Sequence, residues 1–174
     1  MDFSVFRSWF DEQFDAYLEK QINHFTTYSD SDEIAHIASY VRTVAHGGKR
    51  FRPYLVYTAL APTDPEEHFE LFAAVELLHL FALVHDDIMD NGTTRHGAPC
   101  AHRVFTDRYH DARIGEGVAV LLGDLVFQWS YESLLAYTTH HPVEGASLVG
   151  IFGELIREVI HGQMIDVISP TQPP

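Results

Sequence analysis

Through almost the whole chain, apolar residues recur at intervals of three and four, and no stretch sustains the every-second-position alternation of a half-buried strand. That pattern leaves little room for a sheet and predicts an all-α protein. Helices are expected near residues 3–27, 31–45, 50–61, 65–90, 98–110, 112–137 and 144–167, with ends uncertain by several residues. Local punctuation agrees. Asp30 and Ser31 can cap the second helix, Gly47 and Gly48 follow it, and Thr63-Asp64-Pro65-Glu66 reads as a capped start with proline in the first turn. His140-His141-Pro142 interrupts the chain, and Ser169-Pro170-Thr171-Gln172-Pro173-Pro174 cannot continue a helix. The expected organisation is one domain over residues 1–168, for which 174 residues with 46% apolar content suffice, and a Pro-rich tail over 169–174.

A net charge of −14 repels nucleic acid and anionic membranes, so the few basic residues become informative. There are two lysines, Lys20 and Lys49, yet Lys49, Arg50 and Arg52 crowd into four positions, which points to a local anion site. The one cysteine, Cys100, excludes an intramolecular disulfide and reads as a small apolar residue. The opening MDFSVFRSWFDEQF has neither the basic start nor the apolar run of a signal peptide, and no stretch approaches a membrane span. A cytoplasmic protein is expected.

The strongest chemical signal is His85-Asp86-Asp87-Ile88-Met89-Asp90 at the end of a long apolar helix. Asp86 and Asp90, four residues apart, share one helix face, where their oxygens can converge on a cation. Acids at a helix carboxyl end oppose the helix dipole, which argues for a functional cause. Hard oxygen ligands in this number suit Mg²⁺, which completes its octahedron with water and substrate phosphates. His79 and Ala82 continue the face backward by helical spacing, and His79 becomes a candidate phosphate donor beside the carboxylates. A lone histidine on an apolar helix is otherwise a core residue. The turn-rich stretch Asn91–Pro99 then presents Arg95, which either holds a diphosphate or balances the acids.

Gly47-Gly48-Lys49-Arg50-Phe51-Arg52-Pro53 resembles the GGKRxRP box of trans-isoprenyl diphosphate synthases, and Asp86-Asp87-Ile88-Met89-Asp90 resembles their first DDxxD motif. Gly123-Asp124 and Gly162-Gln163-Met164-Ile165-Asp166 resemble the later GD and GQxxD signatures, in the same order. The resemblance implies the isoprenoid-synthase fold, an all-α antiparallel helical bundle, and a head-to-tail prenyl transfer in which Mg²⁺ assists ionisation of an allylic diphosphate. It implies that Lys49, Arg52 and His79 bind isopentenyl diphosphate, and that Asp86 and Asp90 ligate Mg²⁺ with Asp87 in support. Arg95 would hold the allylic diphosphate, and Gln163 and Asp166 would lie near the reacting carbons and a second metal region. It also implies a homodimer, or a heteromer with another synthase chain. Phe81, fifth before Asp86, matches the position of a bulky residue that stops chain growth, beside the small Ala82, and the pattern is most like synthases of a twenty-carbon product. Helical spacing alone points Phe81 off the aspartate stripe, and a core role is the competing reading.

Two departures stand out. His96 replaces the second arginine of the family's Arg-Arg-Gly, substituting a weaker, pH-dependent cation where isopentenyl diphosphate is held. No adjacent acids follow Asp87, so the second aspartate-rich motif is missing and the chain resembles a truncated, amino-terminal half. The isolated chain is therefore expected to bind Mg²⁺ and diphosphate weakly without turnover, as a fragment or noncatalytic partner whose apolar 112–137 helix packs on more than one side. His85-Asp86 as the HD pair of a phosphohydrolase leaves Lys49, Arg52 and Asp90 unexplained. A class I terpene cyclase leaves the GKRxRP box unexplained.

Overall fold

The computed structural model describes residues 1–169 and is all-α apart from one very short hairpin. The proposed proline-rich tail lies outside the described residues from Pro170 onward.

The first helix, α1 (Phe3–Thr26), is capped by the Asp2 carboxylate, which accepts from the Val5 amide at 3.0 Å. Phe6, Phe10, Phe14, Leu18 and Ile22, spaced by four, form its buried stripe. The single helix expected over 31–45 divides into α2 (Asp32–Ser39) and α3 (Val41–Ala45), with Ser31 as the cap of α2. At Tyr40 the local bonds tighten to three-residue spacing, its amide bonding to the Ile37 carbonyl at 3.1 Å, and its hydroxyl is drawn outward to the Pro99 carbonyl at 2.8 Å. After α4 (Phe51–Leu60), the Thr63–Glu66 signal opens a 3₁₀ turn over Glu66–His68, and α5 begins only at Phe69 and runs to Met89. The remaining helices are α6 (Ala101–Tyr109), α7 (Ala112–His140) and α8 (Pro142–Ile168). Pro142 occupies the first turn of α8, where its missing N–H costs nothing.

The central pair is α5 against α7. Ala73, Ala74 and Leu77 of α5 are fully buried, and Ser130 and Ser133 of α7 donate hydroxyl bonds to the carbonyls of Ala74 (2.7 Å) and Glu70 (2.8 Å). Small residues along this seam bring the two helices close enough for side chain to meet backbone. The main core joins α1, α2, α3, α5, α6 and α7. A second cluster of Leu71, Ala74, Leu78, Leu134, Tyr137 and Phe152 is where α8 attaches. Elsewhere α8 is largely open, with Val143 87%, Ile151 61% and Met164 62% exposed.

Arg50 is not the surface cation that its place in the basic cluster suggested. It is 4% exposed, at φ 53° just before α4, and donates to Asp11 on α1 (2.6 Å), Glu76 on α5 (2.7 Å) and the Ala45 carbonyl ending α3 (2.8 Å), with its guanidinium 5.2 Å from the Phe14 ring centre. A β-carbon on Gly48 would fall 2.5 Å from this guanidinium, so glycine is what lets the backbone pass it. Removing the cation strands a buried carboxylate. Arg50→Ala is expected to cost about 3–5 kcal/mol, and Arg50→Met with Glu76→Leu clearly less, which urea denaturation of the two variants measures.

Candidate active site

The last turn of α5 carries the acids, with the Asp90 amide bonded to the Asp86 carbonyl at 2.8 Å and the chain reversing at Asn91 (φ 54°). The three carboxylates do not share one role. Asp87 is 8% exposed and turns inward, where Arg95 grips it through Nε (2.9 Å to each oxygen) and Nη2 (2.6 Å). Asp86 lies on the groove side, accepting from Arg95 at 3.2 Å and from the Gln163 side-chain amide of α8 at 3.0 Å. Asp90 is exposed and accepts no side-chain bond among the described residues. The unfavourable acids at this helix end are thus offset by Arg95 and by Arg103 of α6, which donates to the carbonyls of Gly92 (3.2 Å) and Asn91 (3.0 Å).

The turn-rich stretch after the acids is a β-hairpin, with β1 (Thr94–Arg95) antiparallel to β2 (Ala98–Pro99). Its two loop residues, His96 (φ 50°) and Gly97 (φ 84°), both lie in the left-handed region, as a two-residue turn with the natural strand twist requires. A β-carbon on Gly47 would come within 3.2 Å of the His96 Cβ, so the hairpin rests directly on the Gly47–Lys49 loop.

This packing makes a pocket of about 500 Å³ lined by Lys49, Arg52, His79, Arg95 and His96, with Phe51, Leu80 and Leu83 supplying apolar wall. The His79 Nε2 lies 3.0 Å from an Arg52 guanidinium nitrogen. Burial, and then the charges of Arg52 and Arg95, push His79 down from the ordinary 6.5 to about 4. At neutral pH His79 is therefore an acceptor that orients Arg52 and adds no charge of its own.

Two further grooves lie between α5 and α8, the first continuous with this pocket and the second with the first. One, of about 290 Å³, runs past Arg52, His79, Ala82, Asp86 and Gln163. The other, of about 360 Å³, is almost wholly apolar and bounded by Phe81, Ala82, His85, Met89, Val159, Ile160 and Met164. Phe81 therefore does face a groove, although it leaves the aspartate stripe, because α8 lies across that side of α5. Its ring meets His85 at 4.7 Å and Phe127 at 4.8 Å. Asp166 is exposed.

Glu76 was legible only as a lone acid inside an apolar run, and no expectation attached to it. Gly123, singled out with Asp124 by the GD resemblance, has a packing reason: a β-carbon there would collide with the His85 ring, which lies 3.2 Å from the Val120 carbonyl and 3.5 Å from Asp124. Nothing in the local sequence around His85 signals that its ring will face a glycine on another helix.

No three His, Cys, Asp or Glu side chains among the described residues gather closely enough to hold a metal by themselves. Asp86 and Asp90 nonetheless fit Mg²⁺, which characteristically takes one or two protein carboxylates and fills its remaining positions with water and phosphate oxygens.

The polyprenyl synthetase family model matches residues 32–173. The chain belongs to that family. It is 36% identical over 152 residues to a short chain isoprenyl diphosphate synthase of Methanocaldococcus jannaschii, covering 86% of this chain and 43% of that protein. It is 29% identical over 159 residues to a geranylgeranyl diphosphate synthase of Methanosarcina mazei, covering 90% and 45%. The fold matches a geranyltransferase from Legionella pneumophila with a TM-score of 0.69 at 28% identity, over 99% of this chain and 60% of that one. The chain thus spans less than half the length of the two curated relatives. Among the described residues no helix is long and apolar enough to cross a membrane.

Because the folded His79 binds its proton more weakly than the unfolded chain does, stability rises with pH between about 4 and about 6.5 and is complete above that window. Wild type is expected to lose about 1 kcal/mol more than His79→Gln on acidification across it, solvent screening at the partly exposed ring reducing the full effect. Urea midpoints at pH 7 and pH 4.5 compare the two slopes.

Proposed function

We propose that this chain carries the diphosphate-binding and first aspartate-rich part of a trans-prenyltransferase that condenses isopentenyl diphosphate with an allylic diphosphate. The observation behind this reading is the adjacency of a cationic pocket, a carboxylate pair and an apolar groove along one side of α5. Membership in a family whose relatives are named as short-chain and geranylgeranyl synthases supports the substrate class.

In this reading Lys49 and Arg52, the latter oriented by His79, bind the diphosphate of the isopentenyl substrate, with Arg95 and His96 at its rim. Asp86 and Asp90 hold Mg²⁺, which when bound neutralises charge developing on the allylic leaving group. Arg95 adds a fixed cation there, and Gln163 keeps the Asp86 carboxylate aimed at the groove. The allylic carbon–oxygen bond breaks with its electron pair leaving on diphosphate. The isopentenyl double bond then attacks the carbon cation, a new carbon–carbon bond forms, and a proton is released. The Phe81 ring, with Ala82 beside it, closes one wall of the apolar groove and limits product length. Asp87 supports the site by fixing Arg95.

A second reading is a noncatalytic or half-site subunit completed by another synthase chain or a second copy. The open face of α8 favours it, and so does 36% identity over 132 residues to a protein named as the large subunit of a heterodimeric geranylgeranyl pyrophosphate synthase in Arabidopsis thaliana. A further apolar groove of about 610 Å³ between α1, α2 and α7, bordered by Phe25, Ile37, Leu121 and Trp129, suits pairing through α7.

Incorporation of labelled isopentenyl diphosphate into prenyl products by the purified chain with Mg²⁺ and farnesyl diphosphate tests the choice. The transferase reading expects product that falls at least about 100-fold in Asp86→Ala and lengthens in Phe81→Ala. Substrate binding without product supports the subunit reading, and absence of both activity and binding defeats the two together.

A further inference from the structure

The pocket between the Gly47–Lys49 loop, α4, α5 and the hairpin contains an asymmetry among its cations. Arg95 is already paired with Asp86 and Asp87. Arg52 is bonded to a neutral His79. Arg50, behind the wall, is matched by Asp11 and Glu76. Lys49 is exposed. His96 lines the pocket, is exposed to solvent and presents an imidazole, the side-chain type that serves as a proton-linked switch.

The ring is also held in place. Its backbone occupies the first loop position of the hairpin turn, and its Cβ packs over Gly47, which sets the point at the rim of the pocket from which the ring projects. The ionisable groups around it come from every neighbouring element: Lys49 and the neutralised Arg50 from the loop, with His46 just before it, Arg52 from α4, Glu76 and His79 from α5, and Arg95 from its own hairpin. Arg50 and Arg95 are matched by carboxylates and His79 is neutral, which leaves Lys49 and Arg52 as the unmatched cations of the pocket. A bound diphosphate reverses that balance and favours the protonated ring.

We infer that His96 makes isopentenyl diphosphate binding proton-linked, binding of the diphosphate being coupled to uptake of a proton by this ring. The inference rests on the transferase reading of the pocket and adds to it a dependence that an arginine at the same position would not have. Acidification strengthens the pocket only until the ring is charged in the free protein too.

The test is equilibrium binding of isopentenyl diphosphate to the full chain, without metal or allylic substrate, from pH 6 to pH 8.5. The variants are His96→Asn, which suits a left-handed turn position before glycine, and His96→Arg. The ligand's own protonation is common to all three and cancels in their ratios. Wild type is expected to bind about tenfold tighter than His96→Asn at pH 6 and nearly equally at pH 8.5, while His96→Arg keeps its advantage throughout. The His96 ring resonance, identified by its loss in His96→Asn, is expected to titrate at higher pH once isopentenyl diphosphate is bound. Equal pH courses for wild type and His96→Asn, with binding intact and lost in Lys49→Ala, overturn the inference and leave the transferase reading standing. No binding by wild type at any pH overturns both.

Discussion

The Arg50 guanidinium is the constraint on which the arrangement depends. From one buried position it reaches Asp11 on α1, Glu76 on α5 and the carbonyl that ends α3, and it lies over Phe14 in the main core. A buried charge is costly unless each donor is met, so the three elements must be in register for any of these bonds to form. Lys49, just before it, and Arg52, two residues after it, line the pocket instead. The basic cluster divides into one structural cation and two available ones.

The same division of labour recurs among the acids. Asp87 faces the protein and Asp86 faces the groove, because successive helical residues are separated by about 100° around the axis. Arg95 spans both. Its bonds to Asp87 also tether the hairpin, so the hairpin's docking on Gly47, the position of His96 and the orientation of the carboxylates are parts of one linked assembly. Cys100, buried at the end of β2 with its thiol pushed up to about 11 by burial and the nearby Asp87, closes the inner side of that assembly as an inert residue.

Much of this was legible before the fold was known. Helical spacing places α1, α4, α7 and α8 nearly where they lie, since a buried stripe repeats at a period that few other structures share. The division of 31–45 at Tyr40 was not legible, because the pull on its hydroxyl comes from Pro99, far along the chain. Nor was the hairpin. Two strands of two residues are too short to show alternation, and the turn is signalled only by His96-Gly97, a weaker pair than asparagine with glycine.

The sequence by itself determined the fold class, the family motifs and the carboxylate pair on one face of α5, all consequences of spacing along a single helix or of local residue order. Tertiary structure alone decided that Arg50 is buried while Lys49 and Arg52 are not, that Phe81 meets a groove, and that His79 remains neutral. These depend on which surfaces other helices cover. Desolvation and the proximity of charges are set by neighbours distant in sequence, and no local pattern encodes them.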